Sequence, residues 1–155
     1  MYCNVEHIKK FLINAKINTY ASNSGRVFQQ TILPDTKLLA FEQDDLVYRD
    51  IYFGFLQFAG QETVSLKDKV IWSMNYIGQS QTKENIDDIY AFLRKSLLKI
   101  SIDAPFRGPA AFSDSCGFYY KNQSEGDIDF FHGEESISQN GVIVYKLYYS
   151  GGWVS

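Results

Sequence analysis

The chain has 155 residues, enough for one domain that buries roughly two thirds of its unfolded surface. Its 45% apolar and 21% charged content excludes a disordered chain, and a net charge of −3 with a pI near 5.3 excludes a broad basic nucleic-acid footprint. The aromatic share of 16%, mostly 12 Phe and 11 Tyr, favours a β-rich chain with a pocket.

Val5, Ile8, Leu12 and Ala15 recur at helical spacing, Phe11 widens that face, and Asn4 is placed as an N-cap, so a first helix is expected from Val5 to Lys16. The polar "NTYASNSGR", Asn18 to Arg26, reads as a helix-to-strand connection or a ligand-contacting loop. Leu38–Gln43 and Leu46–Phe53 flank Asp44-Asp45, and Phe55–Ser65 and Lys69–Ile77 flank Lys67-Asp68, which suggests two hairpins. A second helix follows, with Thr82 as cap and an apolar stripe of Ile86, Ile89, Tyr90, Leu93, Leu97 and Ile100. Asp87 and Asp88 sit early in it and Arg94, Lys95 and Lys99 late, which complements the helix dipole. Strands near Phe118–Asn122, Asp127–Ser138 and Val142–Tyr149 complete the chain, and Asn140-Gly141 joins the last two as a tight hairpin. Pro34, Pro105 and Pro109 fall in the connecting loops.

Displaced by 73 residues, "FAGQETVSLKDKVIWSMNYIG" (Phe58 to Gly78) aligns without a gap on "FHGEESISQNGVIVYKLYYSG" (Phe131 to Gly151). Phe58, Gly60, Glu62, Ser65, Tyr76 and Gly78 meet Phe131, Gly133, Glu135, Ser138, Tyr149 and Gly151. A helix precedes each block, and "IKKFL" resembles "IYAFL". The expectation is an α+β fold in a single domain over 1–155, built from two similar helix-then-antiparallel-strands halves, about 4–78 and 82–155. Such halves pack about a pseudo-twofold axis and form a shared groove.

Period two places Phe58, Gly60, Glu62 and Val64 on one face, with Phe131, Gly133, Glu135 and Ile137 as their twins. A regular two-residue turn would pair Ile137 with Val144, Glu135 with Lys146 and Gly133 with Tyr148. It would likewise pair Val64 with Ile71, Glu62 with Ser73 and Gly60 with Asn75. Two outcomes follow. Glu135–Lys146 is a cross-strand ion pair while Glu62 reaches solvent, or the glutamates form a paired-carboxylate pocket, walled by aromatics, for a cationic or polyol-like ligand. The opposite face, with Val70, Trp72, Met74 and Tyr76 matched by Ile143, Tyr145, Leu147 and Tyr149, is the better candidate for the core against the helices.

In "APFRGP", Ala104 to Pro109, prolines stiffen the loop around Arg107. Arg107 either binds a ligand carboxylate or phosphate bidentately or ties the loop to an internal acid, Glu62 or Glu135 included. His7 and His132 lack partners at metal-ligand spacing, and Cys3 and Cys116 read as free thiols. With no zinc signature, phosphate-binding glycine loop or nucleophile elbow, neither a metal nor a cofactor is expected. No apolar run is long enough to span a bilayer, and "MYCNVEHIKK" lacks the order of a signal peptide. A cytoplasmic address, without membrane or direct nucleic-acid partners, is therefore expected.

At "NTYAS", "YFGFLQFAGQE", "VIWSMNY" and "APFRGP" the chain resembles a bacterial domain family of unknown function that occurs alone or behind helix-turn-helix regulators. With no DNA-reading helix pair in the chain, the resemblance implies the sensor-like part alone, and it carries over no catalytic residue. Duplicated halves around a central groove are also similar, at the level of fold only, to bacterial effector-binding domains, where a buried glutamate meets cationic ligands.

The first functional reading is a small-molecule-binding or effector-sensing domain with an aromatic-lined groove. Glu62, Glu135 and Arg107 would fix the polarity of a cationic or polar ligand, and Trp72, Tyr76, Tyr145 and Tyr149 would supply walls or core. The alternatives are a hydrolase-like enzyme using paired carboxylates and a protein-interaction or partner-neutralising module using exposed Tyr and Phe.

Overall fold

A computed structural model describes residues 4–21, 26–27 and 33–154. Helix α1, Val5–Lys16, starts where the Asn4 side chain accepts a hydrogen bond from the Glu6 amide at 3.0 Å. Its chain continues as a π-turn through Ile17–Ala21. Strands β1 (Arg26–Val27), β2 (Lys37–Gln43), β3 (Leu46–Gly54), β4 (Gln57–Leu66) and β5 (Lys69–Ser80) precede helix α2, Ile86–Leu97. After it come β6 (Ala111–Ser113), β7 (Phe118–Asp127), β8 (Phe130–Gln139) and β9 (Val142–Trp153). The fold class is α+β, as expected.

The nine strands of the described residues form one antiparallel sheet in the order β1-β2-β3-β4-β5-β9-β8-β7-β6. Two meanders thus run inward from opposite edges, and β5 and β9 pair at the centre with Tyr76 opposite Tyr149. One face carries the buried side chains, and residues of both helices join the same apolar cluster. The strand bounds of the β8–β9 hairpin are those of β4–β5 displaced by 73 residues.

The cross-strand register differs from the expected one. Lys67-Asp68 (φ 48° and 66°) and Asn140-Gly141 (φ 49° and 83°) make two-residue turns of the type whose left-handed residues match strand twist. A β-bulge then follows between Val64 and Ser65, and another between Ile137 and Ser138. Each adds one residue to the returning strand, so Val64 faces Trp72, Glu62 faces Met74 and Gly60 faces Tyr76. In the second hairpin Ile137 faces Tyr145, Glu135 faces Leu147 and Gly133 faces Tyr149. A one-residue slip exchanges faces. Glu62 and Glu135 therefore share the buried face with Trp72, Met74, Tyr76, Tyr145, Leu147 and Tyr149, while Val70 and Ile143, at the turn side of the bulges, are exposed.

Three local expectations are corrected. Thr82 does not cap α2: it accepts a bond from the Glu84 amide, and the N-cap is Asn85, held left-handed at φ 55°. Ile100 lies past the end of that helix. The segment Asp127–Ser138 is not one strand, because Ile128-Asp129 turns the chain from β7 into β8, with Asp127 and Asp129 accepting from the amides that follow them.

The loop Ala104–Pro109 runs inside. Phe106 stacks on Phe131 with centroids 3.8 Å apart, and Phe131 stacks in turn on Trp72 at 5.8 Å. The Trp72 indole donates to the Ile128 carbonyl at 3.1 Å. This aromatic column brings the backbone around Arg107 into the interior beside the C-terminal end of α1.

Candidate functional site

Among the described residues the buried face holds five charged side chains: Lys16, Asp50, Glu62, Arg107 and Glu135. An unpaired charge in such a place costs several kcal/mol, so their partners decide the chemistry.

Glu135 has every lone-pair direction in use. Arg107 holds it bidentately, Nε to Oε2 at 3.1 Å and Nη2 to Oε1 at 2.5 Å. The Tyr120 hydroxyl donates to Oε2 at 2.6 Å and the Tyr145 hydroxyl to Oε1 at 2.8 Å. The Glu135–Lys146 pair is not formed: Lys146 faces solvent from the other side of the sheet, and Ser136 is its cross-strand neighbour. Arg107 instead ties its loop to an internal acid, the second of the two outcomes its sequence left open. Burial, the largest single influence, would lower the Arg107 pKa, but Glu135 together with Tyr145 and Tyr120 outweighs it and the guanidinium stays charged.

Glu62 does not reach solvent. It forms an ion pair with Lys16, whose ammonium also donates to the Phe106 carbonyl at 2.8 Å. Burial pulls the Lys16 pKa down while Glu62 pulls it back up.

Asp50 stands directly opposite Glu62 on the neighbouring strand and is 4% exposed. The Tyr76 hydroxyl donates to its Oδ1 at 2.7 Å. Burial, reinforced by the Glu62 charge, pushes the Asp50 carboxyl up to about 7, against the lowering contributions of Tyr76, Lys16 and Arg107. Burial also raises the phenols of Tyr48 and Tyr76, and both carboxylates add to it.

These groups border a cavity of about 240 Å³ between β2–β5, the end of α1 with its π-turn, α2 and the Arg107 loop. Asp50, Glu62, Lys16 and Arg107 form its charged part; Tyr48, Tyr52, Phe55, Phe58, Tyr76, Tyr90 and Tyr145 form aromatic walls. Leu93, Arg94 and Leu97 close it from α2, and the exposed Lys37 borders it on β2. Phe58 stacks on Tyr145 with centroids 6.1 Å apart and planes 20° from parallel, and Tyr90 holds the Phe55 carbonyl, which fixes that wall.

Of the seven candidates, Glu62, Arg107, Tyr76 and Tyr145 line this cavity. Glu135, Trp72 and Tyr149 do not line it. Glu135 is consumed in the Arg107 network, Trp72 packs on Phe131, and the Tyr149 hydroxyl donates to the Asn122 Oδ1 at 2.8 Å. Sequence reasoning missed Lys16 and Asp50. Asp50 shares strand parity with Leu46, Tyr48 and Tyr52, and Lys16 lies four residues beyond Leu12 on the apolar helix face, so both had a periodic signal. Of the other polar candidates, Asn18–Ala21 belong to the π-turn, Arg26 starts β1, and residues 22–25 lie outside the described residues. Among the described residues no His, Cys, Asp and Glu cluster has the makings of a metal site. Cys116 is exposed and free, and Cys3 lies outside the described residues.

Fold and cavity define an α+β, single-sheet protein with a charged, aromatic-walled chamber against the buried face of the sheet. The chain belongs to the family Domain of unknown function (DUF5680), whose family model matches residues 50–154. That span contains Asp50, Glu62, Arg107 and Glu135, while Lys16 precedes it. No curated protein and no solved structure matches the chain. Among the described residues no helix is long and apolar enough to cross a membrane.

Proposed function

We propose that this protein binds a small polar or cationic molecule in the cavity against β2–β5, and that it acts as a sensing domain in the bacterial cytoplasm. The observation that carries the reading is the chamber itself. At about 240 Å³ it lies just under the roughly 300 Å³ at which pockets for drug-sized ligands begin, and it combines apolar walls with a few convergent polar groups. Ligand polarity would be read by Asp50, Glu62 and Arg107, with Tyr76 and Tyr145 as walls.

The same proposal includes an origin by duplication, with halves of about 4–78 and 82–155. Support comes from the strand bounds repeated at a displacement of 73 and from bulges at Val64/Ser65 and Ile137/Ser138. It comes also from matched polar contacts, Tyr76 to Asp50 and Tyr149 to Asn122. On this view the halves have diverged in function, since only the first borders the chamber with its strand acids.

A catalytic role would now rest on Asp50 and Glu62, not on Glu62 and Glu135, because Glu135 has no free lone pair to exchange a proton. The outer sheet face, with Phe53, Ile77 and Tyr148 each about half exposed or more, is where a protein partner would have to sit.

A thermal-shift screen with small amines, polyols and carboxylates tests the ligand reading, with Leu97→Phe as the chamber-filling control. At least one class should raise the melting temperature of the wild type and not of the variant. Equal shifts in both proteins, or none in either, would overturn it.

A further inference from the structure

The sheet contains two rungs that pair a glutamate with a short polar side chain. Asp50 faces Glu62 across β3–β4, and Asn122 faces Glu135 across β7–β8. In both rungs the short residue accepts a tyrosine hydroxyl, from Tyr76 at 2.7 Å and from Tyr149 at 2.8 Å. In both, the glutamate is held by one buried cation, Lys16 or Arg107. The Asn122 amide completes its role by donating to the Gly108 carbonyl at 3.0 Å. A neutral amide therefore suffices for the architecture of such a rung.

Position 50 carries a carboxylate instead, and among the described residues no cation is bound to it. Among the described residues two buried cations stand against three buried carboxylates, and each cation is bound to a glutamate. The excess negative charge lies on the one rung whose short residue borders an open chamber.

Resting on the ligand-binding reading above, we propose that Asp50 is the anionic anchor of the chamber and that the ligand carries a primary or secondary ammonium group. Such a group would donate to the Asp50 carboxylate and supply the missing positive charge, and the Tyr and Phe walls would surround its substituent. In the absence of a ligand a proton on Asp50 serves the same end, so the amine and the proton compete for one carboxylate. The groups facing Asp50 are Glu62 from β4, Tyr76 from β5, Lys16 from α1 and Arg107 from its loop, with Tyr48 and Tyr52 on its own strand. Arg94 on α2 and Lys37 on β2 also border the chamber, but both are partly or wholly exposed, so water and salt screen them.

Calorimetric titration with benzylamine, benzyl alcohol and benzoate separates charge from shape, because all three share one ring. Benzylamine should bind the wild type tightest. Its affinity should rise about tenfold between pH 6 and pH 8, as a carboxyl titrating at about 7 gives up its proton. Asp50→Asn, which places at position 50 the side chain already present at 122, should remove both the preference for the amine and its pH dependence. Undiminished benzylamine binding by Asp50→Asn would overturn the proposal, as would equal or tighter binding of benzyl alcohol or benzoate to the wild type; the latter would leave the chamber as a binding site. Should Asp50→Asn not fold, the pH series on the wild type decides: a flat benzylamine profile refutes the anchor. No binding of any of the three would refute both readings.

Discussion

Asp50 and Glu62 face one another directly across the β3–β4 ladder, and among the described residues a buried cation is bound to Glu62 and none to Asp50. Both are buried, with Asp50 4% and Glu62 2% exposed. Two like charges so placed repel, and the interior offers little dielectric screening. The protein meets this by protonating Asp50 near neutrality.

That protonation ties stability to pH. Asp50 has an ordinary value of 3.8 and a folded value of about 7, so between these limits the native state holds a proton that the unfolded chain has released. Stability from this group is therefore lost as pH rises from about 4 to 7, and the loss is complete above 7. Relative to the wild type, Asp50→Asn should gain about 4 kcal/mol between pH 4 and pH 8. Urea denaturation of both proteins across that range measures it, and a difference independent of pH would refute the assignment.

The Lys16–Glu62 pair should show strong coupling. Removing one partner leaves the other charged and buried, so Lys16→Met or Glu62→Gln should each cost about 3–5 kcal/mol. The double variant should cost clearly less than the two losses added together. A double-mutant cycle by chemical denaturation checks this, and additivity within experimental error would argue against the pair.

The Glu135 network should degrade in small steps from its tyrosines and in a large step from its arginine. Tyr120→Phe and Tyr145→Phe each delete one charge-assisted bond and should lose about 1.5–3 kcal/mol. Arg107→Ala uncovers the carboxylate itself and should lose more than either, about 3–5 kcal/mol. Melting curves of the three variants rank them.

Gly60 admits no side chain, because a Cβ there would lie 2.3 Å from the Tyr76 hydroxyl oxygen and 2.8 Å from the Tyr52 Cβ. Gly60→Ala must displace Tyr76 from Asp50, at a cost typical of overpacking, about 1–3 kcal/mol. Because the Tyr76 bond lowers the Asp50 pKa, its loss should also move the Asp50 titration upward. Gly133→Ala meets Tyr149 in the same way but should leave Asp50 where it was.

Helix α1 was legible in full, because the Asn4 cap and the Ile8–Leu12–Ala15 spacing are local signals that the fold does not override. The hairpins around Lys67-Asp68 and Asn140-Gly141 were legible for the same reason: Asp68, Asn140 and Gly141 are residue types that accept positive φ. What eluded sequence was the bulge after each turn. It leaves no mark in composition, yet it moves Glu62 and Glu135 to the buried face and so decides what the glutamates do. Arg107 was recognised as a residue that matters, but its choice of Glu135 over Glu62 depends on a loop that folds inward on the Phe106–Phe131 stack, a long-range contact. Strand parity places Asp50 on the same face as Tyr48 and Tyr52, but a single aspartate carries a weaker signal than the repeated glutamates.

On the proposal above, Asp50 is an uncompensated carboxylate that exchanges a proton for a cation. The most direct measurement follows the ¹³C shift of the Asp50 carboxyl against pH, with and without saturating benzylamine. A midpoint near 7 in the free protein, displaced downward by the amine, is the predicted result. A midpoint near 3.8 that the amine leaves in place would contradict the account.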